Sequence, residues 1–149
     1  MAHVEVSKVI NATPQQVYEL VSDLPRMGEW SPENCGGSWL RGATGPAVGA
    51  KFKGKNRKGA MRWSTISTVV VADPGTEFAF DVSVKGFAVA RWGFRLEAAD
   101  GGTLVTQYFD DHRSKPMAKI TGLALQIPDR VTHNRAGMEQ TLAKLAAAV

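Results

Sequence analysis

The stretch TEFAFDVSV, residues 76–84, places Phe78, Phe80, Val82 and Val84 at every second position. Successive side chains of a strand leave opposite faces of the pleated backbone, so this alternation predicts a strand with one apolar face. After the Lys85-Gly86 pair, FAVARWGFRLEA (residues 87–98) repeats the pattern with Trp92, Phe94 and Leu96. Both sets are expected to face the interior. On either side, GGSWLRG, AKFKGKN, MRWSTISTVVVA and GTLVTQYFDD read as further strands, separated by ATGP, NRKG, DPG and DGG. Those separators are turn-forming residues. Connections this short fit an antiparallel meander, because parallel strands need long crossovers.

The two ends of the chain change character. HVEVSKVI (residues 3–10) predicts an opening strand with Val4, Val6 and Lys8 on one side. Helical spacing follows at Val17, Leu20, Val21 and Leu24; Thr13 is placed to cap it, with Pro14 in the first turn and Gln16 completing a capping box. Pro25 is expected to stop this helix, leaving Met27–Trp30 room for a single turn before Pro32. At the far end Ile120, Ala124, Ile127, Val131, Asn134, Met138, Leu142 and Leu145 form one stripe at helical steps, broken by a polar Asn134 and bent near Pro128. A sheet with one apolar face and a helix with one apolar stripe bury each other. The expected fold is therefore α+β: a curved antiparallel sheet of about seven strands wrapped around a long C-terminal helix, with one or two short helices after the first strand. This is a helix-grip arrangement, and the space between sheet and helix is a natural apolar pocket.

Composition bounds the rest. The 149 residues fit a single domain, 1–149, able to bury a continuous core. A lone Cys35 leaves no intrachain disulfide and no Cys/His framework for zinc, so neither metal nor cofactor is expected. The start MAHVEVSKVI lacks a signal-peptide pattern, and no run approaches about 18 apolar residues, so a cytoplasmic protein without transmembrane association is expected. The net charge of +4 is too small to define a nucleic-acid binder. Lys51, Lys53, Lys55 and Arg57 alternate along one strand opposite Phe52 and Gly54, which a solvated outer face explains. No aromatic ladder accompanies them, so no specific nucleic acid is expected as partner.

Four segments, ATPQQVYELVSDLPRMGEWSP, RWSTISTVVVADPGTEFAFDV, GGTLVTQYF and GMEQTLAKLAAAV, together resemble the polyketide cyclase/dehydrase group. That group lies within the START-like (SRPBCC) superfamily of lipid-transfer and birch-pollen-allergen-like domains. Trp30 and Pro32 match the tryptophan-proline step after the first helices; Pro74, Phe78 and Phe80 match the middle motif; Gly102 and Thr103 match the turn into the last strand. The resemblance spans nearly the whole chain and implies a helix-grip fold around a hydrophobic cavity. It implies no particular reaction, since the superfamily contains aromatase/cyclases, lipid carriers and hormone-binding proteins.

Six aromatic residues, Trp30, Trp63, Phe78, Phe80, Trp92 and Phe94, are candidates to contact a ligand, with ordinary core packing as the alternative. Trp30 is expected where the early helical segment meets the cavity entrance. Candidate catalytic groups are Tyr108, whose phenol would polarise a carbonyl if it points inward, and His112 and His133 as general bases; each also has a plain surface or structural reading. Three functions remain open. The first is binding of a small or medium-sized hydrophobic ligand, lipid or polyketide-like; the second is an aromatase/cyclase or dehydratase, in which positioning a flexible polyketone supplies much of the catalysis. The third is a structural or protein-interaction domain without a small ligand. A sheet edge is also available for pairing in a homodimer.

Overall fold

The computed structural model describes residues 3–32, 34–113 and 130–149. Strand β1 (His3–Ile10) leads into helix α1 (Pro14–Val21) and a 3-10 helix (Leu24–Glu29). Strands β2 (Asn34–Trp39), β3 (Lys51–Lys58), β4 (Met61–Asp73), β5 (Glu77–Val84), β6 (Phe87–Ala99) and β7 (Gly102–Asp111) follow, and helix α2 (Arg130–Ala147) comes last. The seven strands form one antiparallel sheet in the order β1-β7-β6-β5-β4-β3-β2. Only β1 is out of sequence: it returns to pair with β7, and the rest is a meander. This is the helix-grip fold that the strand pattern and terminal stripe predict. Ile120, Ala124, Ile127 and the bend expected at Pro128 lie outside the described residues.

Helix α1 begins as its sequence requires. Gln16 N–H donates to Thr13 Oγ1 (3.1 Å) and Thr13 N–H donates to Gln16 Oε1 (2.8 Å), so two end donors are satisfied reciprocally. It stops earlier than the spacing predicts. Ser22 Oγ donates to the Tyr18 carbonyl (2.7 Å), and the chain tightens into the 3-10 helix, which holds Pro25 in its first turn. Pro25 thus starts the second short helix, where its missing N–H costs nothing.

Cross-strand register sorts the side chains. On the concave face Val69, Phe80, Trp92, Phe109 and Val4 lie across β4, β5, β6, β7 and β1, and beside them run Ala72, Phe78, Phe94, Gln107 and Val6. The convex face carries Ala79, Gly93, Tyr108 and Glu5, flanked by ion pairs from Arg91 to Asp81 (2.6 Å) and Arg95 to Glu5 (2.8 Å) and by the His3–Asp110 pair. Phe52 is fully buried while Lys53, Lys55 and Arg57 are exposed, so the basic strand has its charges on the solvent side.

Helix α2 packs on β1 and β7, with Met138 joining Val4, Ala90 and Phe109 in one cluster. Leu142 and Leu145 join Val17, Val21, Phe78, Leu96 and Val105 in the main core. Leu142 is about as buried as a side chain can be, at 1% exposure. Leu142→Ala should therefore lower unfolding free energy by about 2–5 kcal/mol in a denaturant titration. A loss below about 1 kcal/mol would show that this stripe does not hold the helix to the sheet.

Candidate functional site

The concave face and α2 do not close on each other completely. The described residues line a cavity of about 650 Å³, within the range of sites that enclose a small organic molecule. Trp63 from β4, Phe80 from β5, Trp92 and Phe94 from β6 and Phe109 from β7 form its sheet wall, and Met138 faces them from α2. The Trp92 and Phe109 rings pack with centroids 4.7 Å apart, tilted by 51°. Trp30 lines the cavity from just past the 3-10 helix and is 3% exposed. Arg26 lies over the ring at 5.4 Å, and the Trp30 backbone N–H donates to the Met27 carbonyl (3.2 Å). Glu29 holds Arg26 in place from the same turn, accepting from Nε and Nη2 (2.8 and 3.0 Å). Two residues on, Pro32 approaches Gly137 so closely that a Cβ there would stand 3.4 Å from Pro32 Cγ, tying this loop to α2.

Five of the six aromatic candidates are thus brought together around one space. Phe78 is not among them. It is fully buried beside the cavity wall, edge-on to Tyr18 at 6.1 Å and 6.0 Å from Phe80, and serves the core.

The three polar candidates separate. Tyr108 lies on the convex face, away from the cavity. Gly93 stands opposite it in β6, and a Cβ at Gly93 would meet the Tyr108 ring at 2.2 Å, so the phenol lies flat in a slot that only glycine leaves open. Arg95 covers the ring at 4.8 Å, and the hydroxyl donates to Glu77 Oε2 at 2.7 Å. Burial, then the Glu77 carboxylate, hold this phenol above its ordinary range, so it stays a proton donor to Glu77. His112 follows β7 at an exposed position and does not line the cavity. His133, on α2, does line it.

Sequence reasoning passed over Gln107, Phe109, Arg113 and Thr141, all of which line the cavity. The glycine at 93 is the signal that would have found the first two, since an outward Tyr108 sends its neighbours inward. Arg113 forms a closed unit with Asp111: Nε and the backbone N–H donate to Asp111 Oδ1 (3.0 Å each) and Nη2 to Oδ2 (2.8 Å). Burial pushes the Asp111 carboxyl up, but the Arg113 hydrogen bonds and charge outweigh it and hold the group below its usual value. Among the described residues no group of three or more His, Cys, Asp or Glu side chains is placed to hold a metal ion. No helix among them is long and apolar enough to cross a membrane.

A seven-stranded sheet gripping a C-terminal helix, with an aromatic-lined cavity between them, defines the START-like class. Within that class the chain belongs to the polyketide cyclase/dehydrase and lipid transport family, whose profile matches residues 1–149. It is similar to the polyketide-cyclase-like protein Cgl2372 of Corynebacterium glutamicum, with 31% identity over 97% of this chain and 88% of that one and a TM-score of 0.65. At the level of fold it is similar to the major latex-like protein 151 of Panax ginseng (TM-score 0.73, 13% identity, 99% and 96% covered). It is likewise similar to the di-domain aromatase/cyclase StfQ of the steffimycin biosynthetic pathway (TM-score 0.73, 12% identity), covering 97% of this chain and 49% of StfQ. No match was found among curated proteins.

Two predictions come from this geometry. Tyr108→Phe should lose about 0.5–1.5 kcal/mol of stability with the Glu77 hydrogen bond and leave uptake of an apolar dye unchanged; altered uptake would place Tyr108 in the ligand's reach. Asp111 has a depressed folded-state pKa, so its contribution is present above the unfolded carboxylate value, about 3.9, and is lost as pH falls through the lower folded value. Asp111→Ala should cost about 3–5 kcal/mol at neutral pH, because it strands a buried guanidinium, and should flatten the acid limb of the stability profile. An unchanged acid limb would show that other carboxylates govern it.

Proposed function

We propose that this protein binds a small or medium-sized hydrophobic ligand, lipid or polyketide-like, in the cavity between its sheet and α2. The observation that carries this reading is the aromatic lining: seven aromatic rings border a cavity among the described residues, where a protein without a ligand would pack its rings together. Cavities forfeit packing, and a protein that needed only stability would fill this one. Family membership supports the same reading, since it brings a general capacity for hydrophobic ligands.

The test is native mass spectrometry and solvent extraction of the purified protein, followed by titration with a panel of apolar compounds. A co-purifying apolar molecule or saturable uptake supports binding; absence of both favours an interaction domain without a small ligand. The family's cyclase chemistry is the second reading, favoured by His133, an imidazole at the cavity wall. Turnover of a linear polyketone that falls with His133→Gln would establish it.

Trp30 supplies the sharper prediction. Its ring belongs both to the core and to the cavity wall, so Trp30→Ala should speed dissociation of a bound apolar dye several-fold and cost about 3–5 kcal/mol of stability. Trp30→Phe should recover most of both. Unchanged dissociation and stability in the alanine variant would remove Trp30 from wall and core alike.

A further inference from the structure

We propose that the cavity selects a ligand that carries a hydrogen-bond donor and an acceptor on its apolar frame, read by Gln107 on the sheet and Asn134 on α2. The inference rests on the hydrophobic-ligand reading and narrows it to a chemical class: hydroxylated or enolic carbonyl compounds, not plain hydrocarbons.

Gln107 stands in the concave row between Val6 and Phe94, with 6% exposure. Asn134, 5% exposed, interrupts a helical stripe otherwise continued by Met138, Leu142 and Leu145. Both side chains line the cavity, from opposite walls. Among the described residues, the Gln107 Oε1 acceptor and the Asn134 Nδ2 donor are buried without a hydrogen-bond partner. Buried polar atoms are nearly always paired, because an unmet one loses its water and gains nothing.

Four other polar side chains around the cavity show the contrast. Asn34 Oδ1 accepts from Gly36 N–H (2.9 Å), Asn56 Nδ2 donates to Thr65 Oγ1 (3.1 Å) and Thr141 Oγ1 donates to the Gly137 carbonyl (2.9 Å). Arg113 is committed to Asp111. These groups serve the fold and are satisfied by it.

Gln107 Oε1 and Asn134 Nδ2 are complementary as a pair, a buried acceptor on the sheet wall and a buried donor on the helix wall. A ligand hydroxyl donating to Gln107 and a ligand carbonyl accepting from Asn134 would complete both. A site whose buried polar groups are satisfied only by the right ligand rejects an analogue that lacks them, since the groups are then left unmet in a dry pocket. The apolar rings supply adhesion, and the two amides supply orientation and choice.

Three compounds on one three-ring frame test this: anthracene, anthraquinone, which offers acceptors only, and 2-hydroxyanthraquinone, which offers both. Affinity should rise in that order. Asn134→Leu should weaken both quinones about tenfold, and Gln107→Met should weaken 2-hydroxyanthraquinone alone by a similar factor, while anthracene binds each variant at least as well as the parent. Without ligand, both variants should unfold at higher urea concentration than the parent, because each removes an unmet polar group from an apolar wall. Equal affinity for all three compounds, unaltered by either substitution, would overturn the inference and leave the hydrophobic-ligand reading standing. Lower urea midpoints in both variants would also overturn it, by showing that the amides serve the fold. If none of the three compounds binds, the inference falls together with the reading beneath it.

Discussion

Tyr108 lying on Gly93 fixes the parity of β7, and with it the chemistry of the cavity. In a strand, a shift of one residue turns every side chain to the opposite face. The slot over Gly93, closed by Arg95 and anchored at Glu77, admits the phenol on the convex side only. Gln107 and Phe109 are thereby turned to the concave side, where the pairing aligns them with Phe94 and Trp92. The convex ion pairs agree with that register. Arg91 opposite Asp81, Arg95 reaching Glu5 and His3 beside Asp110 link β5, β6, β7 and β1 through charges that a slipped register would bury.

From this register the sheet acquires a single apolar face, which α2 does not cover alone among the described residues. Helix α2 lies along β1 and β7, and α1 closes one end over β5, β6 and β7. Among the described residues, what remains is the area beneath Trp63, Phe80 and Trp92, with Trp30 brought in by a short loop in which Pro32 lies against Gly137 of α2. The core and the cavity share their walls. Trp30, Phe80 and Phe94 belong to the main hydrophobic cluster and to the cavity lining at once, so the stability of the one and the shape of the other cannot be varied separately.

Much of this is legible in the chain. Alternation at Phe78, Phe80 and Val82, glycine-rich turns, the Thr13–Gln16 box and the stripe through Met138, Leu142 and Leu145 each report a local period, and local periods survive into the fold. The inward direction of Trp92 and Phe94 follows from the same rule. Tyr108 resisted it because its strand mixes polar and apolar residues on both faces: Gln107 is buried among apolar neighbours while Tyr108 is buried on the outer side. Only a partner strand resolves that ambiguity, and the partner's decisive feature is the missing side chain at Gly93. Phe78 and Phe80 differ for a similar reason, since two residues of one face can meet different surroundings, Tyr18 of α1 against the first and the cavity beside the second.

The polar groups in this interior follow two different logics. Asp111 and Arg113 form a buried ion pair with three hydrogen bonds between them, and such a unit stays satisfied whether or not anything occupies the cavity. Its electrostatic demand is met locally, and its removal would be felt as instability. Gln107 and Asn134 carry a buried acceptor and a buried donor, on two elements far apart in sequence, that no described residue pairs. Nothing in the backbone ladder or the helix requires an amide at either place, and apolar side chains would continue the sheet row and the helical stripe. An arrangement that leaves a donor and an acceptor unmet across an aromatic space is less stable when empty than an apolar one, and it recovers that difference only from a ligand that matches both. The same two residues that weaken the empty fold therefore define what the filled one prefers.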